Sequence, residues 1–225
     1  MISKLMLIPK LLVLLFVAVF LPPTLSFAQA TDSARSELQK SSSDILPPYP
    51  LFDAAKDGPL LKHSIRILLN TSVGNLLIEL DPKLAPVTAT HIYRLFKEGV
   101  LNNTPFVRYD PGFVLQSSPA DQKAQGKELT QKQKDLLRRI PLEVDAQSDG
   151  TVKHQKWVLS MARWDQKNSG TDSFSILLGE APHLDHQYTI FGKVVADAES
   201  VETCQRICEE WPQRKAEIIS NKILK

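Results

Sequence analysis

Eight short apolar runs, each bounded by turn-forming or polar residues, constrain this chain more than any other feature. They fall at 65–69, 76–80, 106–108, 113–116, 157–161, 174–178, 189–195 and 218–224. Each is too short for a helix but long enough for a strand, and eight strands in one domain suggest a sheet closed into a barrel. Val73-Gly74-Asn75 joins the first pair as a hairpin and Pro111-Gly112 joins the third to the fourth, both antiparallel. Residues 87–98 carry Ile92, Leu95 and Phe96 at helical spacing, start after Pro86 and stop at Gly99, and 197–209 is a second helical stretch. Two such helices can cover the open ends of a barrel. A third helical piece, 122–139, is so highly charged that it reads as a solvated insertion. The expected fold is mainly β: a closed eight-stranded antiparallel barrel capped by two α-helices, with a helical insertion.

The rest of the chain lies outside that domain, which is expected over 64–225. Residues 1–30 place Lys4 and Lys10 before an apolar run at 11–21, then Pro22-Pro23 and a small-residue ending, Ala28-Gln29-Ala30. This is the pattern of a secretory signal peptide cleaved after Ala30. The run is short against the roughly 20 apolar residues a bilayer crossing needs, so no stable membrane span is expected after cleavage. The implied location is a secretory lumen or the extracellular space, the periplasm in a bacterium, or a membrane-anchored form should the signal stay uncleaved. Residues 31–63 turn polar, with Ser41-Ser42-Ser43 and Pro47-Pro48-Tyr49-Pro50, and read as a flexible linker or arm.

Composition narrows the partners. The 225 residues are 43% hydrophobic and 23% charged, which fits one globular domain with a sizeable core. Lys4 and Lys10 account for the whole formal charge of +2, so the remainder is neutral, which argues against nucleic acid as the main partner. A Gly-rich phosphate loop is missing, and Ser117-Ser118-Pro119 is no nucleophile elbow. His63, His154, His183 and His186 lack partners at metal-ligand spacing, so neither metal nor cofactor is expected.

The remaining chemistry centres on 105–116, where Arg108 alone interrupts two apolar strands and their Pro-Gly turn. Strand alternation and the turn put Phe106, Arg108 and Phe113 within reach of one face, a cation between aromatic walls. A surface arginine laid along an ordinary hairpin would have the same sequence. One reaction needs an arginine and an apolar pocket but no nucleophile or base. Rotation about an X-Pro bond faces a barrier of about 18–20 kcal/mol, while its two ends differ by only about 0.5–1 kcal/mol. In the twisted state the proline nitrogen regains a lone pair, which a fixed N–H donor stabilises.

Several linked motifs carry a family resemblance. Phe106-Val107-Arg108, Pro111-Gly112-Phe113 with Gln116, Leu159-Ser160-Met161-Ala162, and Pro182-His183-Leu184-Asp185 with Tyr188 and Phe191-Gly192-Lys193 resemble the cyclophilins, which are peptidyl-prolyl cis-trans isomerases. The similarity runs from about Ile65 to the end of the chain. It implies that Arg108 is the catalytic residue, and that Phe113, Leu184 and Phe174 wall the proline pocket. It further implies that Gln116 orients the arginine, and that Val114, Arg163 and Tyr188 contact substrate. The implied partners are proline-containing polypeptides, bound by a monomer.

The chain also departs from the family pattern. Ser117-Ser118-Pro119 stands for the usual Gly-Gly-Asp, Arg163-Trp164 follows Ala162 where asparagine is usual, and Asp172-Ser173-Phe174 stands for Gln-Phe-Phe. Val114 replaces a methionine and Tyr188 a frequent histidine. His183 replaces a tryptophan associated with cyclosporin binding, so weak inhibition is expected. The alternative, on the same barrel, is a proline-peptide binding module or chaperone with little isomerase activity. Cys204 and Cys208, four apart on the second helix, read as structural, and Asn70 and Asn102 fit the glycosylation acceptor pattern.

Overall fold

The structure is a computed structural model, and it describes residues 46–119 and 128–224. The signal peptide expected over 1–30, the first part of the arm and residues 122–127 of the insertion lie outside the described residues. Among the described residues no helix is long and apolar enough to cross a membrane.

The eight apolar runs form eight strands: β1 (Ile65–Thr71), β2 (Gly74–Leu80), β3 (Thr104–Asp110), β4 (Val114–Ser117), β5 (Val158–Met161), β6 (Phe174–Leu177), β7 (Ile190–Val194) and β8 (Glu217–Leu224). They close in the order β1-β2-β7-β5-β6-β4-β3-β8, with β8 pairing back to β1 and every pairing antiparallel. Closure leaves no edge strand with unpaired backbone groups. Alternation then sorts side chains: Ile67, Leu69, Leu76, Ile78, Phe106, Leu115, Leu159, Ile176 and Phe191 fill the interior.

Phe174 belongs to that interior, which corrects its expected place in a substrate pocket. It is 1% exposed, and its ring meets Phe96 and Phe191 edge-on at 6.2 and 6.3 Å. It shares a strand face with Ile176, so the outward position between them is Ser175.

The chain has four helices among the described residues: α1 (Ala54–Asp57), α2 (Pro86–Lys97), α3 (Gln131–Lys134) and α4 (Ala198–Glu209). The two long ones, α2 and α4, are those expected, and their buried faces, Ile92, Leu95 and Phe96 on α2 and Cys204 and Ile207 on α4, join the barrel core. Asp197 caps α4 by accepting from Ser200 N at 2.8 Å. Ala85, before α2, has no side chain that could do the same. Glu143 caps α2 from a distant loop instead, its carboxylate accepting from Val87 N at 2.9 Å, Thr88 N at 2.8 Å and Thr88 Oγ1 at 2.6 Å. Both cysteines are free thiols, and burial pushes that of Cys204 up to about 12.

Two segments differ from their expected looseness. Residues 46–63, read as part of a flexible arm, pack onto the barrel: Phe52 N donates to Arg139 O at 2.8 Å, Arg139 N to Pro50 O at 2.9 Å, and Phe52 is buried edge-on to His91 at 6.2 Å. The Asp57 carboxylate, 3% exposed, accepts from Arg138 Nε at 2.9 Å and lies 3.7 Å from Arg94 Nη1. Burial alone would raise the Asp57 carboxyl, but the Asp53 N–H, Arg138 and Arg94 together hold it below its ordinary value. The insertion, expected to be helical and solvated, has among its described residues a single helical turn, α3, and buries Leu137 just after it. One buried ion cluster therefore ties arm, insertion and α2 together.

Two measurements test this packing. His91 is fully enclosed, its Nε2 donating to Thr171 O at 2.8 Å, and burial brings its pKa down from 6.5 to about 4. Above pH 6.5 the ring is neutral whether folded or not, and the site adds no pH dependence. Between 6.5 and 4 the unfolded chain takes the proton first, so stability falls with pH by about 3 kcal/mol. Urea unfolding across this window is expected to show that loss in the native chain and a correspondingly smaller one in His91→Gln. For Phe174→Ala the same assay is expected to show a loss of about 3–5 kcal/mol, the cost of a cavity in a packed core.

Candidate active site

A register shift lies between Phe106 and Arg108 in the β3–β4 ladder: Phe106 pairs with Ser117, and Arg108 with Gln116. Two β3 residues are thus spent against one step of β4, which is a β-bulge. Phe106 stays in the interior, 0% exposed, while Arg108 emerges on the outside. This corrects the expectation that Phe106, Arg108 and Phe113 share a face; only Arg108 and Phe113 do.

Outside the barrel wall a second apolar cluster forms. Val114, Leu177 and Ala181 are buried, with Phe113, Val158 and Leu184 packed half-buried against them. The turn that presents Phe113 depends on glycine twice. Gly112 sits at φ +73°, the left-handed region, and Phe113 N closes the turn on Asp110 O at 3.0 Å. Gly179 passes so close beneath it that a Cβ there would lie 2.2 Å from Gly112 O. Leu178 N then donates to Phe113 O at 2.8 Å, pinning the turn to the end of β6.

The Arg108 guanidinium hangs over this cluster, its Cζ 5.5 Å from the Phe113 ring centroid. Its Nη2 donates to Asp110 Oδ2 at 3.1 Å, and the arginine side chain is half exposed. Two sides of the guanidinium are thus fixed. Gln116 stands opposite Arg108 in the ladder and beside Ser175. His183 stacks on Phe113, ring centroids 5.3 Å apart and tilted by 37°.

The far wall rests on a polar chain. Leu184 lies in a 3-10 turn, Pro182–Leu184, whose next residue, Asp185, accepts through Oδ1 from His154 N and Nδ1, both at 2.8 Å. With the Nδ1 proton directed at that carboxylate, Nε2 is the acceptor for the Ser160 hydroxyl at 3.0 Å. Burial holds the His154 pKa down against the pull of Asp185. Tyr188 is placed by Gln147, whose Nε2 donates to Tyr188 O at 2.8 Å. Arg163 lies over the Tyr188 ring at 4.5 Å and donates to Gln187 O, Trp164 O and Asp165 O, so its charge bridges two loops.

Of the residues expected at the site, Arg108, Phe113, Val114, Gln116 and Leu184 therefore converge, Tyr188 and Arg163 flank them, and Phe174 lies elsewhere. Asp110, Leu177, Ala181, Val158 and the Asp185–His154–Ser160 chain were missed. Strand alternation would have found Leu177, two places after Ser175. No group of three or more His, Cys, Asp or Glu that could hold a metal occurs among the described residues.

This geometry agrees with what the chain resembles as a whole. The family model for "Cyclophilin type peptidyl-prolyl cis-trans isomerase/CLD" matches residues 66–223. A peptidyl-prolyl cis-trans isomerase of Arabidopsis thaliana, CYP23, is 38% identical over 152 residues, covering 68% of this chain and 63% of the relative's own length. Peptidyl-prolyl cis-trans isomerase A of Dickeya dadantii is 30% identical over 174 residues, covering 72% of this chain and 86% of that protein. A Cryptosporidium parvum cyclophilin crystal structure superposes with TM-score 0.59 at 22% identity, over 72% of this chain and 99% of its own, and so agrees in fold. A barrel of this strand order and a family match over most of the domain lead to one conclusion: the chain belongs to the cyclophilin-type peptidyl-prolyl cis-trans isomerases.

Proposed function

We propose that this chain accelerates cis-trans rotation about X-Pro bonds in polypeptides, with Arg108 as its catalytic residue. The observation that carries the reading is the guanidinium held over Phe113 at the lip of an apolar cup built outside the barrel core. A proline ring seated against Phe113, Val114 and Leu184 is immobilised by contact and by the water it displaces. The remainder of the peptide then does the turning. As amide resonance is lost the nitrogen becomes pyramidal, and a guanidinium N–H beside the cup donates to its new lone pair. Arginine suits this because it is always protonated. The donor helps only the twisted state, since the planar amide nitrogen has no lone pair to offer, and that difference lowers the barrier.

The natural substrates in this proposal are unfolded or nascent chains in an exported compartment. The signal-like pattern of residues 1–30 supports that location, and His183 supports weak inhibition by cyclosporin.

NMR exchange measurements on an Ala-Pro tetrapeptide test the reading. The native chain is expected to broaden or exchange the cis and trans signals at substoichiometric amounts, and Arg108→Ala to lower kcat/KM by about 10²-fold, the usual cost of one preorganised donor. Peptide binding without rate enhancement would show a binding module instead. Asp110→Asn is expected to lower kcat/KM by at most about fivefold, since a half-exposed ion pair is worth up to about 1 kcal/mol. Added salt is expected to bring the native chain down to the Asp110→Asn rate while leaving that variant nearly unchanged.

A further inference from the structure

A cavity of about 780 Å³ opens beside the cup, with Gln116 at one end and Tyr49, Leu129, Leu137, Trp164 and Asp172 around it. Its outer wall comes from parts of the chain that a barrel does not require. Leu129 and Leu137 belong to the insertion, and Tyr49 lies outside the residues 66–223 that the family model matches. Arg139 Nε holds Tyr49 in place by donating to its carbonyl oxygen at 2.8 Å. Trp164 stands 55% exposed at the mouth.

The floor is unusual in charge. Asp172 Oδ1 accepts from the Thr171 hydroxyl at 2.9 Å and from the Ser173 hydroxyl at 3.3 Å, so the carboxylate is held by neutral donors. No ion pair reaches Asp172 among the described residues, whereas the buried Asp57 carboxylate lies against two arginines. Burial raises the Asp172 carboxyl above its ordinary value, and burial together with the Asp172 charge raises the Tyr49 phenol. Two cations also border the cavity. Arg163 is spent on Tyr188 and three carbonyls, and Lys134, exposed on α3, makes no ion pair with Asp172. The cavity thus offers aromatic and apolar walls to an alkyl stem, and an anion at its base.

We propose that this cavity takes the side chain of a lysine or arginine flanking the substrate proline, with Asp172 selecting the charge and Tyr49 and Trp164 enclosing the stem. The inference rests on the isomerase reading of the adjoining cup. A long basic side chain buries its methylenes along apolar surface while its head finds an acceptor, which is what the two ends of this space supply.

The test uses the full chain and proline hexapeptides in which one flanking position at a time carries lysine, norleucine or glutamate. At one position lysine is expected to raise kcat/KM over norleucine on the order of tenfold, with glutamate below both. The lysine-to-norleucine ratio is expected to fall toward one in Asp172→Asn, and to fall by a smaller factor in Tyr49→Leu. Equal rates for lysine and norleucine at every position overturn the proposal, as does a ratio that Asp172→Asn leaves intact. Should Asp172→Asn not fold, loss of the lysine preference at 0.5 M salt in the native chain supports the charge assignment and its persistence overturns it. If the native chain isomerises none of the peptides, the isomerase reading falls, and titration of the same lysine and norleucine pairs decides the cavity alone.

Discussion

The bulge in β3 is the constraint on which the site depends. Were β3 regular between Phe106 and Arg108, which lie two positions apart, the period-two alternation would put both side chains on one face of the wall. Either the arginine would point into a core of leucines and phenylalanines, where an unpaired charge is prohibitively costly, or Phe106 would leave that core for water. The bulge lets each go where its chemistry is satisfied. It also re-aims the arginine toward Phe113, which directly follows Gly112 in a turn that needs the left-handed region. The placement of the proposed catalytic arginine follows from resolving a conflict between burial and charge.

The same wall separates two apolar clusters with different tasks. The interior one closes the barrel and is sealed by α2 and α4, while the exterior one is small and half-buried. A cluster of this kind cannot hold itself together by burial alone, because Phe113, Val158 and Leu184 are only partly covered. Glycine contacts, the Leu178–Phe113 backbone bond and the bridging Arg163 supply the rest.

Much of this was legible in the sequence, and the limits have physical causes. The eight strands could be read because each is a short apolar run between turns, and α2 because its periodicity, Pro86 and Gly99 agree. The arginine was legible as an interruption, and Phe113, Leu184 and Gln116 by resemblance. Phe174 was misplaced because an aromatic beside a pocket motif looks like a pocket wall; only the pairing of Ser117 with Phe174 shows which way it faces. The arm was misread because polar and proline-rich composition describes local preference, whereas its docking rests on Asp57 meeting arginines 37 and 81 positions away in the chain. The cap on α2 was hidden for the same reason, since Glu143 acts from 55 residues off. Long-range polar pairing has no periodicity to detect.

The Asp185–His154–Ser160 chain shows how such pairing is put to use. Its order matches that of a hydrolytic triad, yet Ser160 is 3% exposed and lies within a strand, closed to any substrate. Its value is mechanical. The 182–185 turn carries Leu184, which packs with Phe113 against the exterior cluster where the proposed proline site lies, and a surface turn is ordinarily among the mobile parts of a fold. Binding Asp185 to a buried imidazole, and that imidazole to β5, transfers the rigidity of the barrel to the turn. A neutral histidine suits the place because it donates at one nitrogen and accepts at the other without adding a charge behind the cup. The lip that carries Arg108 and the wall that faces it are therefore both fixed to the same sheet, from opposite sides of the opening.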